Sequence, residues 1–286
     1  MSTGFLNKRL TSGIAAGIFG LVIITLGGWW FAVSLGVIVH LALLEYFRMA
    51  EFAGIRPATK TTLVACQLLL LITQLDVDGI VSSSLTDAVL PLSGAAICCW
   101  LLLQPITGSI SDIAASIFGL FYLGFLPSHW LKLRNIYHIY SMNESNYLPE
   151  LNYGMHLTLC ICFMIVAFDI GSYFFGKKYG KKILTPISPG KTIEGALFGT
   201  LFSILIGIIS IKLLNLNMHL FFGLLLGCLV SLFSLVGDLT ESMMKRDAGI
   251  KHSGDALPGH GGILDRIDSY LFTSAVIYYV VLIFPI

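Results

Sequence analysis

Acidic, basic and glycine residues are concentrated in one stretch of an otherwise apolar chain, residues 236–269. Its first polar side chains recur at positions i, i+3, i+4 and i+7, and they are Asp238, Glu241, Ser242 and Lys245. On a helix these four residues share one face. Two further acids, Asp265 and Asp268, stand one turn apart at the start of the last apolar run. A solvated helix end would explain the first set of residues but not the second.

Carboxylates at the edge of an apolar span are costly unless a cation neutralises them. Mg²⁺ is typically held by one or two carboxylates together with substrate phosphates. Neighbouring basic residues would bind the phosphate oxygens that the metal leaves free, and here they are Lys245, Arg246 and Arg266. The combination predicts nucleotide-dependent phosphoryl or nucleotidyl transfer.

Five glycines lie between the two sets of acids, at positions 249, 254, 259, 261 and 262. The run Pro258-Gly259-His260-Gly261-Gly262 cannot form a helix interior, and its backbone N–H groups could approach phosphate oxygens closely. A flexible turn between two spans is the alternative. His260 could be a ligand, a phosphate donor or a helix cap, and the sequence does not choose among them.

A second polar loop precedes the apolar run that begins at Ile193. Thr192 is placed to cap a helix, and Ser188, Lys191 and Thr192 offer donors to a polyphosphate. The Gly-Lys-Thr tripeptide resembles the end of a P-loop, but Thr185 stands where the motif needs glycine and no strand precedes it. A Walker site is therefore excluded, whereas a basic topology signal remains open.

Four other acids lie within or beside apolar runs. Asp169 is inside one, which favours a role in the site over a structural hydrogen bond or ion pair. Three acids lie near predicted span ends and are interpreted as interfacial: Glu45, Glu51 and Asp112.

The composition is that of a polytopic membrane protein. Of the 286 residues 56% are hydrophobic and 12% charged, with mean hydropathy +0.86, whereas soluble domains carry about 25% charged residues. These values exclude a soluble enzyme, a disordered chain and a disulfide scaffold. The net charge of +1 gives no basic field for nucleic acid. The six cysteines lie in apolar runs and are interpreted as packing residues.

The uncharged stretches predict an all-α bundle of about nine transmembrane helices. The run from Leu10 to Leu44 is too long for one crossing and should break at Gly27-Gly28, before Trp29 and Trp30. The predicted spans are 9–27, 30–48, 58–75, 88–106, 109–127, 154–175, 193–213, 218–237 and 267–285.

Most of the 17 basic residues fall on one side of such a bundle when the N-terminus is cytoplasmic. We therefore expect one polytopic domain over 1–286, with N-terminal spans in 1–150 and a catalytic half in 151–286. Its polar residues are concentrated in two cytoplasmic loops, 176–192 and 238–266, which places the predicted site on the cytoplasmic face.

The stretch from Ser242 to Asp268 resembles the signature of CDP-diacylglycerol synthases, also called phosphatidate cytidylyltransferases. The matching residues are Ser242-x-x-Lys245-Arg246, Lys251, and Pro258-x-His260-Gly261-Gly262-x-x-Asp265-Arg266-x-Asp268. Segments 188–195 and 169–176 also resemble family motifs, so the likeness covers roughly residues 160–286. The family's Lys-Asp pair is Lys251-His252 here, and His is a poor Mg²⁺ ligand. Because Asp238, Asp265 and Asp268 all remain, the missing acid is expected to be peripheral.

The resemblance implies the reaction of CTP with phosphatidate to give CDP-diacylglycerol and pyrophosphate in the bilayer. It implies catalytic roles for Asp238, Lys245, Arg246, Asp265, Arg266 and Asp268, with Asp238 and Asp265 holding Mg²⁺. The implied substrate-binding residues are Asp169, Ser188, Lys191, Thr192, Lys251, His260, Gly261 and Gly262. A second cation, K⁺, and a homodimer are further implications.

Two other functions stay open at this point. A CTP-dependent polyprenol kinase would use similar chemistry on an alcohol, although the Pro-x-His-Gly-Gly stretch argues against it. A transporter would place its acids at mid-bilayer in broken helices, whereas most acids here lie at one interface.

Overall fold

The computed structural model describes residues 3–136, 153–214, 216, 219–254 and 261–284, and these residues are mainly helical. Within them an isolated bridge joins Ile183 and Thr192, and no sheet forms. The helices are α1 Thr3–Leu26, α2 Gly28–Phe52, α3 Thr59–Val77, α4 Ser83–Leu102, α5 Ile110–Leu120, α6 Leu126–Arg134, α7 Tyr153–Tyr179, α8 Ile193–Leu213, α9 Leu220–Asp247 and α10 Leu264–Ile283.

Eight helical segments of the described chain are long and apolar enough to cross a membrane, and Ala15–Leu26 adds a shorter apolar one. Helices α5 and α6 count as one span because a π-helical turn, Phe121–Phe125, joins them. The predicted all-α polytopic fold is confirmed, with a count that agrees with about nine spans. The predicted break between the first two spans is also confirmed, since Gly27 and Gly28 both have positive φ, 64° and 49°.

Large apolar side chains are exposed on each of these eight spans. Examples from three of the helices are Trp30 on α2, Leu197 on α8 and Ile283 on α10. A soluble protein would rarely expose so much apolar surface, whereas hydrocarbon solvates it at no cost. The chain is therefore a multi-pass membrane protein.

The chain divides into two compact units. Unit 1 comprises Met1–Lys132 and Met244–Ile267, and unit 2 comprises Leu133–Met243 and Asp268–Ile286. Helices α9 and α10 therefore each contribute residues to both units.

Unit 1 is held together by apolar packing and by polar contacts at helix ends. Tyr46 on α2 is buried and donates its hydroxyl hydrogen to the Ala115 carbonyl at 2.8 Å. Asp112 caps α5 with Ser109 and also accepts the Arg56 N–H at 2.7 Å. Asp112 is buried and ties the loop before α3 to the start of α5, and its predicted position near the membrane interface stays a prediction.

Unit 2 is built on very close helix packing at small residues. A Cβ at Gly171 of α7 would lie 3.1 Å from the Gly199 Cα of α8, and one at Gly227 of α9 would lie 2.6 Å from the Ile204 Cα. Side chains at these glycines would separate the helices, as in other membrane bundles that pack through small residues. The glycines thus bring the polar ends of these helices into close register.

Candidate active site

Three carboxylates of unit 2 form a compact cluster, which we call the acidic group: Asp238, Glu241 and Asp268. One ligand oxygen from each lies within 4.8 Å of the other two. Glu241 and Asp268 are buried, with 1% and 7% of their surface exposed, and Asp238 is half-buried. The Ser242 hydroxyl lies 3.4 Å from Asp238 Oδ1. The helical face predicted from the i, i+3, i+4 spacing is therefore present.

Gly237 explains how α9 and α10 bring these acids together. A Cβ at Gly237 would collide with the carbonyl oxygen of Asp268. The two backbones therefore touch at the level of the acidic group, one residue before Asp238. Any larger residue at position 237 would move Asp268 away from the α9 acids.

Lys191 forms an ion pair with Asp238 within unit 2. Its main chain is fixed by the Leu184 N–H, which donates to the Lys191 carbonyl at 2.8 Å, and by its own N–H, which donates to the Ser188 carbonyl at 3.0 Å. Sequence reasoning proposed Lys191 as a phosphate ligand. The structure brings it to the acidic group, where it offsets part of the mutual repulsion of the carboxylates.

The loop that carries Lys191 is held to the start of α8. Thr192 caps this helix, as predicted, by accepting the Gly195 N–H at 3.1 Å. Glu194 reaches back to accept the N–H groups of Lys181 and Lys182, at 3.0 and 3.3 Å. A Cβ at Gly195 would lie 2.8 Å from the Ser172 carbonyl oxygen, so this residue also brings α8 against α7. Ser188 itself is half-buried in the loop.

Asp169 on α7 is exposed, and it lies close enough to Asp268 for the two charges to repel each other. The predicted intramembrane acid therefore belongs to the surroundings of the acidic group. Its position adds negative charge, which strengthens the need for a cation there.

Asp265 lies in unit 1 and has a different environment. Its Oδ1 accepts from Lys245 Nζ at 2.5 Å, and its Oδ2 accepts the N–H groups of Gly262 and Ser253 at 3.0 and 3.3 Å. Both Lys245 and Asp265 are largely buried. Asp265 thus binds residues of the stretch 249–262, which we call the glycine segment; of that segment, residues 255–260 are outside the described chain.

Glu45 on α2 contacts the same segment. Its carboxylate accepts the Ser253 hydroxyl and the N–H groups of Ile263 and Leu264, each at 2.9 Å. Glu45 is buried, and its predicted position near the membrane interface stays a prediction. Because its donors lie more than 200 residues further along the chain, no local pattern could reveal them. We call Glu45 and Asp265 the segment carboxylates.

The other predicted site residues fall into three classes. Arg246, Lys251 and Arg266 are exposed in unit 1. Gly261 has a positive φ of 82°, and Gly262 is buried. His252, which replaces the family's acid, is exposed, and its Nδ1 lies 3.8 Å from Asp265 Oδ2. The prediction for His260 lies outside the described residues. The pairing of Asp238 with Asp265 as metal ligands stays a prediction, because these residues belong to separate units.

The acidic group has the chemistry of a divalent-cation site. Three carboxylate oxygens within 4.8 Å repel one another strongly when buried, and Lys191 offsets one unit of that charge. Such a group beside a lysine can hold a metal–polyphosphate complex. The fold and site together define a polytopic helical membrane protein suited to phosphoryl or nucleotidyl transfer.

Comparison with known proteins identifies the family. Residues 7–284 match the sequence profile described as "Cytidylyltransferase family". The chain is 43% identical to a protein of Synechocystis sp. named phosphatidate cytidylyltransferase, over 98% of both chains. It is 29% identical to a protein of that name in Bacillus subtilis, over 98% of both, and 36% identical to phosphatidate cytidylyltransferase 4, chloroplastic, of Arabidopsis thaliana, over 96% of this chain and 72% of that one. The chain belongs to the cytidylyltransferase family, and the suspected resemblance is confirmed.

Proposed function

We propose that this chain transfers CMP from CTP to phosphatidate, giving CDP-diacylglycerol and pyrophosphate for phospholipid biosynthesis. The observation that carries the proposal is the acidic group with Lys191 on Asp238, in a chain that belongs to the cytidylyltransferase family. The named relatives support the choice of phosphatidate as acceptor, since the similarity extends over nearly the whole chain.

We assign Mg²⁺ to the acidic group, with Asp238, Glu241 and Asp268 as its protein ligands. The donor set fits, because Mg²⁺ prefers oxygen ligands and oxygens around one Mg²⁺ are about 3–4 Å apart, close to the separations of up to 4.8 Å in this group. When bound there, the ion would neutralise negative charge on the triphosphate. Asp265 stays a predicted ligand; Lys245 and two N–H groups now occupy its oxygens.

The chain's own residues then have defined tasks. The phosphate oxygen of phosphatidate attacks the α-phosphorus of CTP, and the bond between the α-phosphorus and the bridging oxygen to the β-phosphate breaks, so pyrophosphate leaves. Little general-base work is needed because a phosphate monoester is already ionised near pH 7. Lys191 holds Asp238 and is placed to donate to phosphate oxygens, and the Thr192 hydroxyl can donate its hydrogen while it accepts from Gly195.

Further positive charge comes from Lys245, Arg246 and Arg266, which the sequence assigns to the same reaction. Charge on the attacked phosphorus and on the leaving pyrophosphate increases in the transition state, so fixed cations stabilise it more than the ground state. Lys251 stays a predicted substrate-binding residue.

We propose that the site lies at the cytoplasmic surface of the bilayer, because one substrate is a lipid and the other is water-soluble. The lysines that follow α7 support this orientation under the positive-inside rule. The homodimer and the K⁺ ion implied by the family resemblance stay predictions.

Purified protein supplied with phosphatidate and CTP labelled at either the α- or γ-phosphate tests the proposal. Label from the α position should enter the lipid, in a reaction that requires Mg²⁺ and no ion gradient. Label from the γ position in the lipid would instead indicate a kinase. Absence of any labelled lipid would overturn the enzymatic assignment and favour a transporter.

A further inference from the structure

Glu45 contacts residues within the glycine segment and just after it. Its Oε2 accepts from the Ser253 hydroxyl and from the Leu264 N–H, and its Oε1 accepts from the Ile263 N–H. Ser253 precedes the undescribed residues 255–260, and Ile263 follows them. One carboxylate on α2 therefore holds described residues on both sides of positions 255–260.

The contact also replaces a missing helix cap. The first N–H groups of a helix have no partner within it and usually take a side-chain oxygen from the residue just before the helix. Helix α10 begins at Leu264, after Gly262 and Ile263, which carry no such oxygen. Glu45 supplies it from another helix, and its negative charge is favourable at a helix N-terminus.

The glycines of the segment fit the Glu45 side chain. A Cβ at Gly254 would lie 2.7 Å from Glu45 Oε1 and 2.9 Å from Glu45 Cδ. A Cβ at Gly262 would collide with Glu45 Oε2 and with the Ser253 hydroxyl. Positions 254 and 262 therefore lack a side chain because Glu45 occupies that space.

The residues that Glu45 fixes also hold Asp265. Ser253 donates its hydroxyl to Glu45 and its N–H to Asp265, and Gly262 donates its N–H to Asp265 while it packs on Glu45. Asp265 in turn binds Lys245. A change at Glu45 should therefore alter the positions of Asp265 and Lys245 without touching them directly.

We propose that Glu45 is a positioning residue for the cytidylyl transfer, acting through the glycine segment on Asp265 and Lys245. This role rests on the proposed function of the same site. It gives one of the N-terminal spans a role in catalysis, whereas the sequence indicated only that these segments are apolar enough to cross a membrane.

The test compares Glu45→Gln with Glu51→Gln, which removes the same charge from an exposed position on the same helix. The amide keeps the size of Glu45 but turns an NH₂ group toward backbone N–H donors. We expect kcat to fall about 10- to 100-fold with KM for CTP changed less than about threefold. Hydrogen exchange of the Ile263 and Leu264 amides should become about tenfold faster. Glu51→Gln should leave kcat, KM for CTP and the exchange of these amides unchanged.

Two outcomes separate this inference from the function on which it rests. An inactive wild-type protein would overturn the proposed function, while faster exchange in Glu45→Gln would still support the contact. An active wild type with unchanged kcat in Glu45→Gln would overturn the positioning role. Unchanged exchange at residues 263 and 264 would overturn it as well.

Two further variants sharpen the test, and the first of them keeps it decisive if Glu45→Gln does not fold. Ser253→Ala removes one donor to Glu45 and leaves the charge, so kcat should fall about 3- to 10-fold. Gly254→Ala should impair activity in the wild type but add little in a Glu45→Ala background, where the methyl group has space. Additive effects of the two changes would contradict the proposal, because independent sites add and contacting ones do not.

Discussion

The acidic group of unit 2 and the segment carboxylates of unit 1 are both buried, but they are stabilised in different ways. In the acidic group, carboxylate oxygens from α9 and α10 face one another within 4.8 Å, with Lys191 on Asp238. The segment carboxylates each accept hydrogen bonds from backbone N–H groups, and Asp265 also binds Lys245.

This difference indicates which acids need an added cation. Carboxylates that receive N–H donors and a lysine are compensated by the protein itself. Carboxylates that face one another repel, and positive charge placed between them offsets that repulsion, although Asp268 also accepts the Ser269 N–H at 2.7 Å. Burial of an acid is therefore a poor guide to a metal ligand, whereas the identity of its neighbours is a good one.

The largest expected effect comes from exchanging the acid in each region for its amide. Asp268→Asn should lower kcat by about 10³-fold and raise the Mg²⁺ concentration for half-maximal activity, since metal charge stabilisation contributes several kcal/mol. Asp265→Asn should lower kcat without shifting that concentration. If Asp265→Asn raised the Mg²⁺ concentration for half-maximal activity and Asp268→Asn did not, the comparison would be reversed and Asp265 would be the metal ligand.

A smaller effect is expected from separating the two helices that carry the acidic group. Gly237→Ala should lower kcat about 100-fold, because its methyl group would push the Asp268 backbone away and a displacement of about 1 Å can cost that much. Gly190→Ala, at a position with open space beside Lys191, is the matched control. Equal activities of the two variants in the CTP assay would rule out close helix packing as the cause.

Removing the cation of the acidic group should have a moderate effect. Lys191→Met should lower kcat/KM for CTP about tenfold, since a phosphate donor and the partner of Asp238 are lost together. Lys178→Met removes the same charge from an exposed position at the end of α7 and should leave the kinetics unchanged. If both variants lose activity equally, the effect comes from general surface charge.

The smallest effect on catalysis is expected at Asp112, a buried acid whose carboxylate accepts the main-chain N–H groups of Arg56 and Ser109 in unit 1. Asp112→Asn should lower the free energy of unfolding by about 1–3 kcal/mol and leave kcat of the folded protein within about twofold. Thermal unfolding in detergent measures the first quantity, with exposed Asp87→Asn as the control. A large loss of kcat at unchanged stability would mean that such acids also serve catalysis.

Much of the fold could be predicted from the sequence because hydrophobic length is a local property. The predicted span 193–213 coincides with α8, and the predicted break at Gly27-Gly28 separates α1 from α2. The Thr192 cap was predictable for the same reason, since the cap and its donor Gly195 are three residues apart. The end of α9 was harder to predict. The helix continues to Asp247, ten residues beyond the predicted span, and the added residues include Asp238 and Glu241.

The site could be predicted only in part, because its decisive contacts are not local. The helical spacing of Asp238 and Glu241 indicated a shared face, but the addition of Asp268 depends on how closely α10 passes Gly237. Glu45 gave no signal beyond being an acid near a span end. Lys245 likewise binds Asp265, twenty positions later, in a contact that tertiary packing sets and that no local pattern could reveal.

The bond between Glu45 and the start of α10 spans 219 positions of the chain. During synthesis, α2 is made long before the glycine segment and α10. The Glu45 carboxylate can therefore form these hydrogen bonds only after the start of α10 has been synthesised. A nascent polypeptide that stops before Ile263 lacks both amide donors at that helix start. If Glu45 positions the site as proposed, catalytic competence is acquired only after residues 263 and 264 have been synthesised, and a product truncated before them should not consume CTP.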